Sequence, residues 1–320
     1  VLTEVEDMLF HSISGVLIIL VMILVGYALT QVGWFDERYS QITSKLVTQV
    51  ALPCYMINTI TSKFSRGELF QIFPDLKFPI LSMTLLFLVS YGVQFILHID
   101  PNHRGLFKSM FSNSNTVFVG LPVNMALFGK ASVPYVLIYY MANTTFFWTL
   151  GVYLIRRDGD AKQKMSILAI LKKIFSPPLL GFMFGVLLVI LNWKLPDFLM
   201  SDTKYIGSLT IPLSMFFIGM KLAQVGISNI HVSWDMFGIC FGRFILAPFL
   251  TFILVFAAPV PNIMKQVFVL QAAMPVMTNA PVVAKLYHAD SDYAAVMVTA
   301  TTALSLVVVP ILMNIVMRLF

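Results

Sequence analysis

Pro53 and Pro122 stand 69 residues apart, and so do Pro212 and Pro281. An offset of 159 therefore carries the first pair onto the second in a chain of 320 residues. All four sit inside long apolar stretches. Proline lacks an N–H and its ring crowds the carbonyl four residues back, so a helix bends or breaks there. Two halves interrupted at matching places predict an internally duplicated helical protein, and in membrane carriers such interruptions mark the substrate site. The same offset aligns Gly26 with Gly185, Trp34 with Trp193, Lys45 with Lys204 and Met56 with Met215. Other identities are few. The weight rests on the paired prolines and on a tryptophan just after the first apolar segment of each half.

Hydrophobic residues make up 58% of the chain and charged residues 11%, against about 25% charged in a soluble domain. The expected solvent is therefore a lipid bilayer. Cys54 and Cys240 both fall in predicted spans, which excludes a disulfide framework. The net charge of +6 does not point to nucleic acid. The basic residues gather in one loop that holds Arg156, Arg157, Lys162, Lys164, Lys172 and Lys173, and the positive-inside rule assigns that loop to the cytoplasm. The start, Val1 to Asp7, is acidic. It lacks both the basic region of a signal peptide and an initiator methionine, so a trimmed or tagged chain is expected.

A span needs about 20 apolar residues, fewer where it is broken. The sequence predicts ten, over residues 12–31, 41–60, 78–98, 106–128, 133–155, 176–193, 203–221, 234–257, 263–286 and 293–319. The expected fold is all-α, with a first five-helix repeat over 1–155, a basic loop over 156–175 and a second repeat over 176–320. Five spans is an odd number, so the second half enters the membrane inverted. With loop 156–175 inside, both termini of this multi-pass plasma-membrane protein lie outside. The loop with Lys63, Arg66 and Lys77 runs against the charge rule.

The fourth segment carries Asn113, Ser114, Asn115 and Thr116 and is expected to break at Gly120, Leu121 and Pro122. The ninth carries Thr278 and Asn279 and is expected to break there and at Pro281. Polar groups without partners in lipid cost a few kcal/mol, so these face a cavity, water or another helix. If the two broken helices cross, two half-helix N-termini meet near the midplane, each with free donors and partial positive charge, which suits a carboxylate. The competing reading is that Asn and Thr only join helices. Asn143, Thr144 and Thr145, and Thr301 with Thr302, fit helix contact and cavity lining equally. Leu52-Pro53 and Ile211-Pro212 lack a polar cluster and read as bends.

Among charges, Arg243 lies well inside the eighth span and either meets a substrate carboxylate or, the favoured reading, snorkels to the interface. Lys285 either attracts an anion or is a solvated helix end, while Asp290 and Asp292 read as solvated loop residues. No pair of carboxylates lies within the spans, so coupling to a proton or to sodium stays open. His11, His98, His103, His231 and His288 show no metal-ligand spacing. Catalytic motifs and a phosphate-binding loop are missing, so no enzyme and no cofactor is expected, and transport would draw on a gradient.

At its broken segments the chain resembles the auxin efflux carrier family. The family's fourth segment reads Asn-Thr/Ser-Gly-Phe-x-Gly-Ile/Leu-Pro, and here stand Asn115, Thr116, Val117, Phe118, Val119, Gly120, Leu121 and Pro122, with Val117 departing from the usual glycine. The ninth segment from Ala273 to Tyr287 is similar to that of bacterial members, and the short basic loop fits that branch. The resemblance implies two crossed broken helices, a scaffold and dimer interface from segments 1, 2, 6 and 7, and a moving domain from segments 3–5 and 8–10. Related folds are bile-acid/sodium symporters and sodium/proton antiporters. It implies elevator-like transport of a small organic anion, malate or malonate by the labels of bacterial relatives, held by Asn115, Pro122, Asn279, Pro281 and Asn143. A carrier of auxin-like aromatic carboxylates, a sodium-coupled symporter and a membrane sensor without transport stay as alternatives. The same resemblance implies a homodimer as the functional particle.

Overall fold

A computed structural model of the chain describes residues 18, 20–67, 69, 73–159, 168, 175–225 and 233–320. The acidic start, His11, His231, the beginning of the first span and Lys162, Lys164, Lys172 and Lys173 lie outside the described residues. Among the described residues the regular elements are helices. In chain order these are α1 (Leu20–Gln31), α2 (Glu37–Leu46), α3 (Leu52–Lys63), α4 (Lys77–Ile96), α5 (Arg104–Ser112), α6 (Leu121–Phe128), α7 (Val133–Phe146), α8 (Val152–Asp158), α9 (Pro177–Ile190), α10 (Asp197–Ser208), α11 (Thr210–Val225), α12 (Trp234–Phe241), α13 (Ala247–Phe256), α14 (Asn262–Ala272), α15 (Ala280–Leu286) and α16 (Ser291–Leu319). Among the described residues, five helical stretches are long and apolar enough to cross a membrane: Pro74–Ile96, Thr116–Asp158, Asp197–Gln224, Trp234–Phe256 and Ser291–Leu319.

Local chemistry sets where these helices start and stop. Asp36, Ser233 and Asp290 accept the backbone N–H three residues on, from Tyr39, Met236 and Tyr293, and so cap α2, α12 and α16. Helices α1, α4, α9 and α15 end on residues with left-handed backbone: Gly33, His98, Asn192 and His288. In each, the next N–H reaches back five residues, from Trp34 to Leu29, Ile99 to Gln94, Trp193 to Leu188 and Ala289 to Ala284. That is the Schellman closure, which satisfies carbonyls the helix end leaves free.

Three prolines bend helices without breaking them, and a five-residue π turn stands two residues ahead of each. Val47–Ala51 precedes Pro53, Thr116–Gly120 precedes Pro122 and Gly242–Leu246 precedes Pro248. The carbonyl four residues before each proline has no N–H to accept and is crowded by the ring. A widened turn there opens room and lets the chain stay helical. The expected break at Gly120, Leu121 and Pro122 is therefore corrected: helix runs through them, and Gly120 donates to Asn115 at 3.0 Å across the π turn. Before Pro212 the interruption is a single residue, Leu209, between α10 and α11.

The chain forms two compact units. One comprises Val1–Pro74, Leu121–Pro134 and Phe175–Gln224; the other comprises Asp75–Gly120, Tyr135–Ile174 and Val225–Phe320. In the first, small residues bring helices into close contact, as they do where lipid leaves little hydrophobic drive between helices. Gly26 of α1 and Gly219 of α11 face each other's backbone, and α3 is held by Gly181 and Gly185 of α9 on one side and Gly207 of α10 on the other. Asn58 donates to the Met200 carbonyl at 3.2 Å. In the second unit, α4 packs on α5 and α13, with Ser82 and Thr251 hydroxyls 2.7 Å apart.

Candidate functional site

The second unit is built around two interruptions that lie against each other. Helix α5 stops at Ser112, because Asn113 turns extended at φ −97° and ψ 132°. Helix α14 stops at Ala272, and the chain does not become helical again until Ala280. Ser114 and Val276 form an antiparallel bridge, and Asn115 N–H donates to the Pro275 carbonyl at 2.8 Å. Each broken stretch thus supplies backbone partners that the other lost. Irregular backbone at membrane depth requires such compensation.

Side chains complete the compensation. Asn143 on α7 is fully buried; its Nδ2 donates to the Ser114 carbonyl at 2.8 Å and its Oδ1 accepts the Ser114 N–H at 2.9 Å. Its carboxamide therefore stands in for a neighbouring strand, and both its ends are engaged. Thr301 on α16 serves the other stretch, accepting the Val276 N–H at 3.2 Å. Asn115 accepts the Phe118 N–H at 3.1 Å and so caps the restarted helix. Asn279 stands at the N-cap of α15 without a side-chain cap bond.

Among the described residues, Arg243 is the largest fully buried side chain. It neither snorkels nor sits open to a substrate, and the reason lies in the helix ends around it. Its Nε donates to Met274 O at 3.0 Å, Nη1 to Ser112 O at 2.8 Å and Phe111 O at 3.3 Å, and Nη2 to Ala272 O. Those carbonyls belong to the C-terminal ends of α5 and α14, the negative ends of two helix dipoles. A planar fork with five donors can serve both at once.

Gln271 was missed by the sequence reading, although a polar residue in the run Val267 to Ala273 is itself a signal. It is fully buried, its Nε2 lies 3.5 Å from Thr116 O, and its amide packs where a side chain on Gly120 would have to go. Gly120 is thus required by a close approach rather than by a break. Several buried polar atoms around the interruptions have no hydrogen-bond partner among the described residues: Ser112 Oγ, Asn113 Oδ1, Asn115 Nδ2, Thr144 Oγ1 and Gln271 Oε1.

The expected residues therefore divide. Asn113, Asn115, Asn143, Gly120 and Arg243 are buried in the second unit, and Thr278, Asn279 and Pro281 border the second interruption half-buried. Pro122 is buried in the first unit. Lys285 is exposed in the last turn of α15, where a cation suits the helix dipole. Asp290 is not merely solvated: besides capping α16 it lies 3.1 Å from His103 Nε2. Asp292 is exposed. The His103 ring stacks on Tyr293 at 4.2 Å, and Tyr293 donates to Asp235 at 2.9 Å. Asp158 accepts the N–H groups of Gly105 and Leu106 at 2.8 and 2.7 Å. The starts of α5, α12 and α16 and the end of α8 thus meet at one end of the second unit.

Residues 11–313 match the model of a family described as membrane transport protein. An uncharacterized transporter from Methanocaldococcus jannaschii is 28% identical over 305 residues, which cover 92% of this chain and 95% of that protein. Another, from Methanothermobacter thermautotrophicus, is 25% identical over 304 residues, covering 94% of this chain and 97% of that one.

Proposed function

The chain belongs to the membrane transport protein family, the auxin efflux carrier family that its broken segments resemble, and on that premise we propose that it is a secondary carrier of small organic anions. The observation that carries the proposal is the pair of interruptions joined at Ser114 and Val276. The negative helix ends there are already neutralised by Arg243, so the ends left to meet a ligand are the half-helix starts at Thr116 and Ala280. They offer the positive end of each dipole and the unpartnered Nδ2 of Asn115. A carboxylate satisfies such groups. A malate-like dicarboxylate is the leading substrate because of the family's bacterial branch, with Asn115, Thr278, Asn279 and Pro281 around it. Asn143 acts as the strut that holds Ser114.

The reading of two inverted five-helix repeats, ten spans in all, gains support from matched details. Trp34 and Trp193 stand at the repeat offset and close the same Schellman motif, on Leu29 and Leu188. The division into two units supports an elevator mechanism, in which the second unit carries the site while the first is the scaffold. The meeting of the α5, α8, α12 and α16 termini at one end fits the topology with both chain termini outside.

The test is thermal stabilisation of the purified protein with mono- and dicarboxylates, with and without sodium and across pH, followed by uptake into proteoliposomes. A selective carboxylate shift, with saturable gradient-driven uptake of the same compound, is expected. Stabilisation without flux would favour a sensor, and no shift with any carboxylate would remove the anion assignment.

A further inference from the structure

Three carboxamides at the interruptions have one end engaged and the other unmatched among the described residues. Asn115 Oδ1 accepts the Phe118 N–H at 3.1 Å, which leaves its Nδ2. Asn113 Nδ2 donates to the Ser109 carbonyl at 3.0 Å, which leaves its Oδ1. Gln271 Nε2 faces the Thr116 carbonyl at 3.5 Å, which leaves its Oε1. The engaged end fixes how each amide points, because a carbonyl takes only the nitrogen and an N–H only the oxygen. The hydroxyls of Ser112 and Thr144 are unmatched as well. All five residues are at most 2% exposed, so each unmatched atom carries a desolvation cost that a ligand can relieve.

The set is lopsided. Asn115 Nδ2 can only donate, Asn113 Oδ1 and Gln271 Oε1 can only accept, and the hydroxyls do either. One carboxylate satisfies the donor. A second would meet amide oxygens, and among the described residues the interruptions offer no second unmatched side-chain N–H. Arg243 is spent on backbone carbonyls, and Lys285 is exposed. What the oxygens lack is a donor, and the smallest donor an organic acid carries is a hydroxyl. Resting on the carboxylate reading above, we propose that the substrate is a small 2-hydroxy monocarboxylate, its carboxylate held by Asn115 Nδ2 and its hydroxyl donating to Gln271 Oε1. Placement favours this pairing over one with Asn113. Asn115 and Gln271 attend to the same turn, Thr116–Gly120: Asn115 caps it through Phe118, and the Gln271 amide lies against Thr116 O and Gly120. The Asn113 amide instead reaches back to Ser109 and toward Gly151. Two amides on one turn read groups on neighbouring carbons. Gln271 is then a specificity residue, because an acceptor left buried and unpaired penalises every acid that lacks the hydroxyl.

The experiment is a melting titration of the full chain in a neutral detergent with lactate, with propionate, which lacks the hydroxyl, and with malonate, which offers a second carboxylate instead. Lactate should bind about tenfold or more tightly than either of the others. Gln271→Met keeps the side chain's length but removes the acceptor. It should bring lactate to within about twofold of propionate while propionate binds as before, whereas a merely structural loss would weaken both alike. Asn115→Ala should weaken lactate and propionate by the same factor and leave their ratio intact. The comparison of the three acids on the unaltered chain decides the matter even where a variant fails to fold. Equal binding of lactate and propionate would overturn the proposal and leave the carboxylate reading standing. Tighter binding of malonate than of lactate would overturn it too, as would a lactate preference that survives Gln271→Met. No shift with any of the three would remove the carboxylate reading itself, and this proposal with it.

Discussion

Arg243→Met tests whether the arginine is a brace or a substrate partner. The side chain is fully buried and donates to carbonyls of Phe111, Ser112, Ala272 and Met274. Methionine keeps the length but removes the charge and the donors. The carbonyls would then face each other across a dry space, two helix C-termini with nothing between them. A charge-assisted hydrogen bond contributes about 1.5–3 kcal/mol, and partners left buried and unpaired cost about 1–3 kcal/mol each. These terms are not additive, because the ends can relax and admit water. Breaking a buried ionic arrangement by removing one partner typically costs about 3–5 kcal/mol, and that is the magnitude expected. It corresponds to a fall in Tm of roughly 6–20 °C, read by fluorescence melting in detergent. Arg243→Lys should fall in between, since one ammonium carries charge but cannot fork to both ends. A variant that melts within about 1 °C of the parent but no longer responds to the anion would refute the reasoning and return Arg243 to a substrate role.

Gly120→Ala should destabilise by about 1–3 kcal/mol through overpacking, and Gln271→Ala in the same chain should recover part of it, because the clash is with that amide; additive losses in a double-mutant cycle would rule the contact out. Asn143→Asp keeps an acceptor for Ser114 N–H but removes the donor to its carbonyl, so Tm should fall and anion binding with it. Asn115→Ala and Asn279→Ala should weaken anion binding about tenfold, some 1.4 kcal/mol, in protein that still folds; unchanged affinity in both would dismiss the site. Burial raises the Glu37 carboxyl, but the hydrogen bond and charge of Lys221, with Gln41 and Ser40, outweigh it and hold the group below the ordinary carboxylate range. The stability it contributes is thus present above the unfolded value of 4.5 and is lost as pH falls through the lower folded value. Both side chains are partly exposed, so Lys221→Ala should cost under about 1 kcal/mol and flatten the acid side of a Tm–pH profile.

What the sequence made legible, and what it hid, follows from the range of each interaction. The apolar segments and their polar interruptions are local and could be read directly. The prolines drew attention to the right segments but not to the right residues. A proline removes one donor, and a single π turn ahead of Pro53, Pro122 or Pro248 absorbs that loss. Ending a helix inside a membrane takes replacements for several backbone groups at once, and the Asn113–Asn115 stretch with Asn143, and the Pro275–Val276 stretch with Thr301, supply them. Asn143 itself was visible as a polar residue in an apolar run, yet its role depends on Ser114, 29 residues away. Arg243 and Gln271 reach partners 131 and 155 residues distant, and no periodicity encodes such a contact. The same logic separates structure from chemistry within the site. Residues whose polar atoms are all paired, such as Asn143, hold the interruption open. A residue that does one structural task and keeps a buried polar atom unmatched, as Asn115 does with Nδ2, still lacks a partner that a ligand can supply. In the proposed carrier that distinction, more than position in a motif, identifies which side chain should govern affinity.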